Sequence, residues 1–174
     1  MTWTAPEVPR TDPPMQADER TALETWLDYH RATLLVKCQG LTGEQLAQRS
    51  VAPSTLSLLG LVRHLAEVER WWFRILFGQQ SELPDLYVSD EIPDGDFDLT
   101  DPARAEADYA TFVQECEMSR RTAAGRSLDD TFKHPNRDEL IDLRWVYLHM
   151  IEEYSRHNGH ADIVREQIDG VAGD

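Results

Sequence analysis

The sequence predicts an all-α protein, a four-helix bundle with room for crossover connections. Three observations carry that expectation. Four segments repeat apolar residues every three or four positions, the signature of a helix with one buried stripe. Capping residues and glycines punctuate their ends. No segment alternates apolar and polar residues long enough to read as a strand, although 126–141 leaves room for a short pair.

Residues 1–15 hold four prolines and few core formers, so they read as an extended tail pinned by Trp3 and Val8. Residues 16–170 read as one bundle domain. From about residue 17, Leu23, Trp26, Leu27, His30 and Leu34 mark the first helix, and Gly40 is its stop. A short turn of helix is expected over 43–48. Pro53-Ser54-Thr55 opens the second long helix, with Ser54 or Thr55 as cap. Its inner face carries Leu58, Leu61, His64, Leu65, Val68, Trp72, Ile75 and Leu76, and Gly78 ends it. Residues 79–100 are acidic and lack periodicity, so they read as a long surface loop, with covering a pocket as one role for it. Asp101-Pro102 starts the third helix, with Ala105, Tyr109, Phe112, Val113 and Cys116 inward, and Gly125 closes it. Asp142 caps the fourth helix, which runs from about 143 to 168 and stops near Gly170.

A net charge of −15 across 174 residues repels phosphate backbones and anionic membranes. Nucleic acid is therefore not an expected partner. No apolar run reaches the ~20 residues of a membrane span, and the N-terminus lacks the features of a signal peptide. The cytoplasm is the expected compartment. Cys38 and Cys116 are far apart and form no CxxC, so two reduced, buried thiols are expected.

The chemistry concentrates on the fourth helix. His149, Glu153, His157 and His160 share its apolar face with Val146, Met150, Ala161, Val164 and Ile168. At about 100° per residue these four lie within an arc of roughly 80°. Buried imidazole and carboxylate need partners, and one metal ion satisfies several at once. Glu153, His157 and His160 are spaced to reach a single ion, and His64 faces inward from the second helix. A buried polar cluster held by hydrogen bonds is the competing arrangement. His30 and His149 are expected to be packing residues. Arg63, Arg144 and Arg156 are expected at the surface or in salt bridges, with binding of an anionic thiol or carboxylate as the alternative. Trp71 and Trp72 are expected to pack in the core, with a pocket wall or a dimer contact as alternatives. Zinc leads among the metals, and imidazole with carboxylate also admits nickel or iron.

Two segments, LSLLGLVRHLAEVERWWF and LRWVYLHMIEEYSRHNGHADIVREQIDG, resemble the DinB superfamily of metal-binding four-helix bundles. The likeness is greatest to a small single-domain branch related to mycothiol-dependent enzymes. It extends to the WTAPEVPRTDPP tail and the LDYHRATLL helix. The resemblance implies crossover topology and a divalent metal held by one histidine of the second helix and two residues of the fourth. His157-Asn158-Gly159-His160 lines up with the His-Arg-Gly-Gln of many relatives, which makes His157 a ligand. Four residues earlier stands Glu153 where those relatives have histidine. The resulting His, Glu, His set resembles that of mycothiol-dependent maleylpyruvate isomerases. His64, Glu153 and His157 are thus the leading ligands. His160 is a fourth ligand, a replacement for Glu153, or a neighbour that orients His157.

The resemblance further implies thiol chemistry, S-transfer or isomerisation with mycothiol, bacillithiol or glutathione, acting on a small electrophile. Homodimerisation is implied on the same ground. A metal-dependent hydrolase is the chemical alternative, and a non-catalytic stress-response or binding module with a structural or vestigial metal is the alternative from another class. The sequence has neither a Gly-x-Ser-x-Gly elbow nor a phosphate-binding loop.

Overall fold

The computed structural model describes residues 2–136 and 138–173. Helices make up most of it: α1 (Glu19–Cys38), α2 (Gly43–Leu46), α3 (Leu58–Glu69), α4 (Gly95–Asp98), α5 (Ala105–Ala123) and α6 (Leu143–Asp169). The all-α class holds. Where 126–141 leaves room for a short pair, two three-residue strands form a hairpin, β1 (Thr131–Lys133) and β2 (Leu140–Asp142), paired antiparallel with Phe132 opposite Ile141.

Local chemistry sets the helix ends. Asp18 caps α1 by accepting the Thr21 amide at 3.0 Å. Asp142 caps α6 through the Trp145 amide at 2.7 Å. Gly170, with φ of 80°, closes α6 in the left-handed conformation that suits glycine. Asp101 accepts from Ala103, but Pro102–Arg104 forms a 3-10 turn before α5 begins. The second long helix starts later than its sequence suggests. Ser54 spends its hydroxyl on the Leu56 amide in a local turn, and Ser57 takes the cap by accepting from Gly60 at 3.1 Å. After Glu69 the same rod continues as a π-helical segment, Arg70–Phe77, and ends at Gly78. A regular 3.6-residue pattern does not foresee that widening, which often marks functional sites.

The core is one apolar cluster fed by every long helix. Leu27, Leu34, Leu58, Leu61, Leu65, Phe73, Phe112, Val146, Met150 and Tyr154 are all essentially inaccessible. α1 packs on α6, and α3 packs on α5 and α6. Two expected core residues are instead exposed, Trp26 at 45% and Val113 at 44%. Trp26 packs on its own helix, against Tyr29 and His30. The proline-rich segment is tied down: the Ala5 amide donates to Leu41 O at 2.9 Å, and Trp3 packs edge-on to Tyr109. Within 79–100 the chain forms α4, which lies on α3. Gly60 permits that approach, since a Cβ there would meet the Phe97 ring at 3.0 Å. No helix among the described residues is long and apolar enough to cross a membrane.

A buried carboxylate joins the long helices. Glu69, at the end of α3, is fully buried and accepts Arg31 Nε at 2.7 Å and Nη2 at 2.6 Å from α1. The Tyr154 hydroxyl of α6 donates to it at 2.8 Å, and burial keeps that phenol protonated far above its ordinary range. Cys116 of α5 sits 3.8 Å away, and Ser119 donates to the Glu69 carbonyl. Removing one partner of such a pair strands a buried charge. Glu69→Ala should therefore lower unfolding free energy by about 3–5 kcal/mol in urea denaturation. Glu117→Ala, which removes an exposed partner of Arg121, should cost less than about 1 kcal/mol.

Candidate metal centre

Two helices supply the site. α3 presents His64 from the middle of its apolar face, and α6 presents Glu153 and His157 one turn apart. One donor atom from each of the three lies within 4.8 Å of the other two. The His64 and His157 rings meet with centroids 4.7 Å apart, and His157 Nε2 lies 3.3 Å from Glu153 Oε2. All three side chains are partly shielded, at 23%, 19% and 12% exposure for His64, Glu153 and His157.

The structure separates the other candidates from this trio. His160 does not join it; its Nδ1 lies 3.4 Å from His157 Nδ1, whereas Glu153 approaches the other ring nitrogen, Nε2. His149 stacks on Trp145 at 4.8 Å and meets Trp72 edge-on at 4.7 Å, an aromatic packing position. It also forms a second group with Glu152 and Glu153. Glu152 there is exposed and already paired with Arg156. His30 contacts the Ser155 hydroxyl, 3.2 Å from its Nε2.

The arginines resolve into structural roles. Arg63 is buried, donating to the Gly95 and Asp96 carbonyls at 2.9 Å each and to Asp108 at 3.1 Å. Its guanidinium also covers the Tyr87 ring at 4.0 Å. Arg144 pairs with Glu19 and Asp129, and Arg156 with Glu152.

The acidic segment reaches the site. Glu67 accepts the Leu86 and Tyr87 amides and draws the loop against α3. Asp96 lies 2.8 Å from His64 Nδ1, and Phe97 stacks on the His64 ring at 4.9 Å. Asp96 is not singled out by the sequence, being one acid among many between 79 and 100. Its one distinguishing signal is the apolar Phe97 beside it, after Gly95. A cavity of about 350 Å³ opens beside His64, walled by Trp71, Trp72 and Phe97 and edged by Asp85 and Asp94. The cysteines lie elsewhere and are buried. Burial pushes Cys38 up to about 12, and burial with the nearby Glu69 carboxylate raises Cys116 further. Neither supplies a thiolate near neutrality.

Fold and site together define a helical protein with a His, Glu, His cluster whose His64 lines an indole-walled cavity. The family model described as mycothiol S-transferase matches residues 22–170, and the chain belongs to that DinB-like family. No curated protein and no solved structure matches it.

Burial, reinforced by His64, His160 and Arg156, pushes the His157 imidazole down to about 4. The metal-free folded state then holds fewer protons than the unfolded state between that value and the ordinary pKa of about 6.5. This contribution to stability is present above pH 6.5 and is lost as pH falls toward 4. Urea denaturation of metal-free protein across that window should show the decline, and His157→Gln should flatten it.

Proposed function

We propose that this protein is a metal-dependent S-transferase that uses a low-molecular-weight thiol of the mycothiol type. The observation that carries this reading is the convergence of His64, Glu153 and His157, with donor atoms within 4.8 Å of one another on two facing helices. We read α1, α3 with its π segment, α5 and α6 as the crossover four-helix bundle of the superfamily. Residues 16–170 form its domain, and residues 1–15 are a strap laid along it.

Two imidazoles and a carboxylate fit a divalent ion of borderline softness, zinc first, with nickel or iron admitted by the same donors. His157 suits ligation because burial keeps it neutral at physiological pH. Three protein ligands leave a coordination position for a reactant, and the contact of His160 with His157 Nδ1, outside the trio, supports that count. His160 is then a neighbour that orients His157, not a ligand. The ion would lower the pKa of a coordinated thiol and hold it as the thiolate nucleophile.

The chain's own groups divide the remaining work. His64, Glu153 and His157 hold the ion. Trp71, Trp72 and Phe97 shield the approach from water and offer ring faces to an apolar or polyol group. The buried Cys38 and Cys116 supply no nucleophile, so the reacting sulfur belongs to the co-substrate. Transfer forms a carbon–sulfur bond at the electrophile; an alkyl halide loses halide, and the thiol proton goes to solvent.

Purified protein should carry close to one divalent ion per chain by elemental analysis, and His64→Ala should abolish it. Mycothiol and monochlorobimane should yield the conjugate with wild type at a rate at least about 100-fold above that with His64→Ala. Cys38→Ala/Cys116→Ala should retain the wild-type rate. Full metal content in His64→Ala overturns the ligand set. No conjugate with mycothiol, bacillithiol or glutathione overturns the activity.

A further inference from the structure

Asp96 stands in an acidic, solvent-facing run, yet it is 4% exposed. A carboxylate buried to that degree needs partners for both oxygens. Oδ1 accepts the Phe97 amide at 2.9 Å, and Oδ2 lies 2.8 Å from His64 Nδ1. The backbone is held as well: Arg63, one residue before His64, donates to the Asp96 carbonyl at 2.9 Å and to that of Gly95 at 2.9 Å. Phe97 lies on the His64 ring, 4.9 Å between centroids with a 30° tilt. His64 is therefore held by hydrogen bonding at one nitrogen and by stacking on one face, and both of these groups come from α4.

We propose that Asp96 is the positioning residue of the α3–α6 metal centre, holding the proton of His64 on Nδ1 and leaving the Nε2 lone pair for the ion. The inference rests on the ligand set proposed above. A carboxylate can only accept, so the nitrogen facing it carries the proton. A neutral imidazole has one proton, so the other nitrogen is bare and able to ligate. Partners of this kind also orient the ring and raise its basicity as a ligand.

Asp96→Asn gives the sharpest test. The Phe97 amide holds an acceptor at the Oδ1 position, so the asparagine carbonyl takes that place. Its NH2 group then faces His64 Nδ1. A donor there requires Nδ1 to accept, which sends the imidazole proton to Nε2, the nitrogen left for the cluster. A near-isosteric change thus blocks the ligand, whereas Asp96→Ala only frees it. Asp94→Asn, at an exposed neighbour on the cavity rim, is the control.

Two readouts are taken on intact protein: zinc affinity by competition with a chromogenic chelator, and the His64 tautomer in metal-free protein by long-range 1H–15N correlation. Thermal melting checks that each variant folds. Zinc should bind Asp96→Asn about 10–100-fold more weakly than wild type, Asp96→Ala less severely weakened, and Asp94→Asn like wild type. The His64 proton should sit on Nδ1 in wild type and on Nε2 in Asp96→Asn. Unchanged zinc affinity in a folded Asp96→Asn overturns the proposal and leaves the ligand set standing. Absence of zinc binding by wild type overturns both. If Asp96→Asn does not fold, the wild-type spectrum decides alone: a proton on Nε2 overturns the proposal, and one on Nδ1 supports it.

Discussion

A single buried carboxylate fixes how the long helices meet. Glu69 of α3 takes a bidentate guanidinium from α1 and a phenol from α6, with a thiol of α5 beside it. A charge without water must have its partners in place, so the helices cannot slide past one another without stranding it. Apolar packing alone tolerates rearrangement much more readily. The consequence reaches the candidate centre. Tyr154 lies between Glu153 and His157 in sequence, and Glu69 lies five residues beyond His64. The contact that docks Tyr154 on Glu69 therefore sets the register in which His64 faces the Glu153–His157 pair.

The polar groups of α3 serve two ends. Arg63, His64 and Glu67 all engage the segment 85–97, through its carbonyls, the Asp96 carboxylate and its amides respectively. The acidic stretch is thereby both a cover and a part of the site. Neither cysteine offers the site a thiolate, because both thiols are buried and held protonated. Under the proposed function the sulfur comes from a soluble thiol, and the protein contributes ion, shape and shielding. The cavity rim carries Asp85 and Asp94, and among the described residues no lysine or arginine lines it.

The sequence revealed what rests on local rules. The stop at Gly40, the start at Asp101-Pro102 and the span from Asp142 to Gly170 are marked by caps and stops whose chemistry is read within a few residues. The helical spacing placed Glu153 and His157 a turn apart, and the inward phase of His64 pointed it toward them. Contacts between distant residues were hidden. Arg31 and Glu69 are 38 residues apart, and each reads alone as an ordinary surface charge. Asp96 meets His64 across 32 residues and is one of several interchangeable acids in its segment. Ser57 displaced Ser54 as a cap because both have the right chemistry, and only the turn decides between them. Trp26 and Val113 fit an apolar stripe whose edge extends past the core that exists to cover it. His149 and His160 shared the phase of the trio, but neighbouring indoles claimed one and His157 Nδ1 the other.

The most direct test is anomalous diffraction at the zinc edge from crystals of the zinc-loaded protein. One strong peak per chain is expected, with His64, Glu153 and His157 as its protein ligands at roughly 2.0–2.2 Å and the remaining position filled by a non-protein atom. Asp96 should remain on the outer nitrogen of His64, and His160 should stay outside the coordination shell. A peak at the His149, Glu152 and Glu153 group, or no peak at the trio, would contradict it.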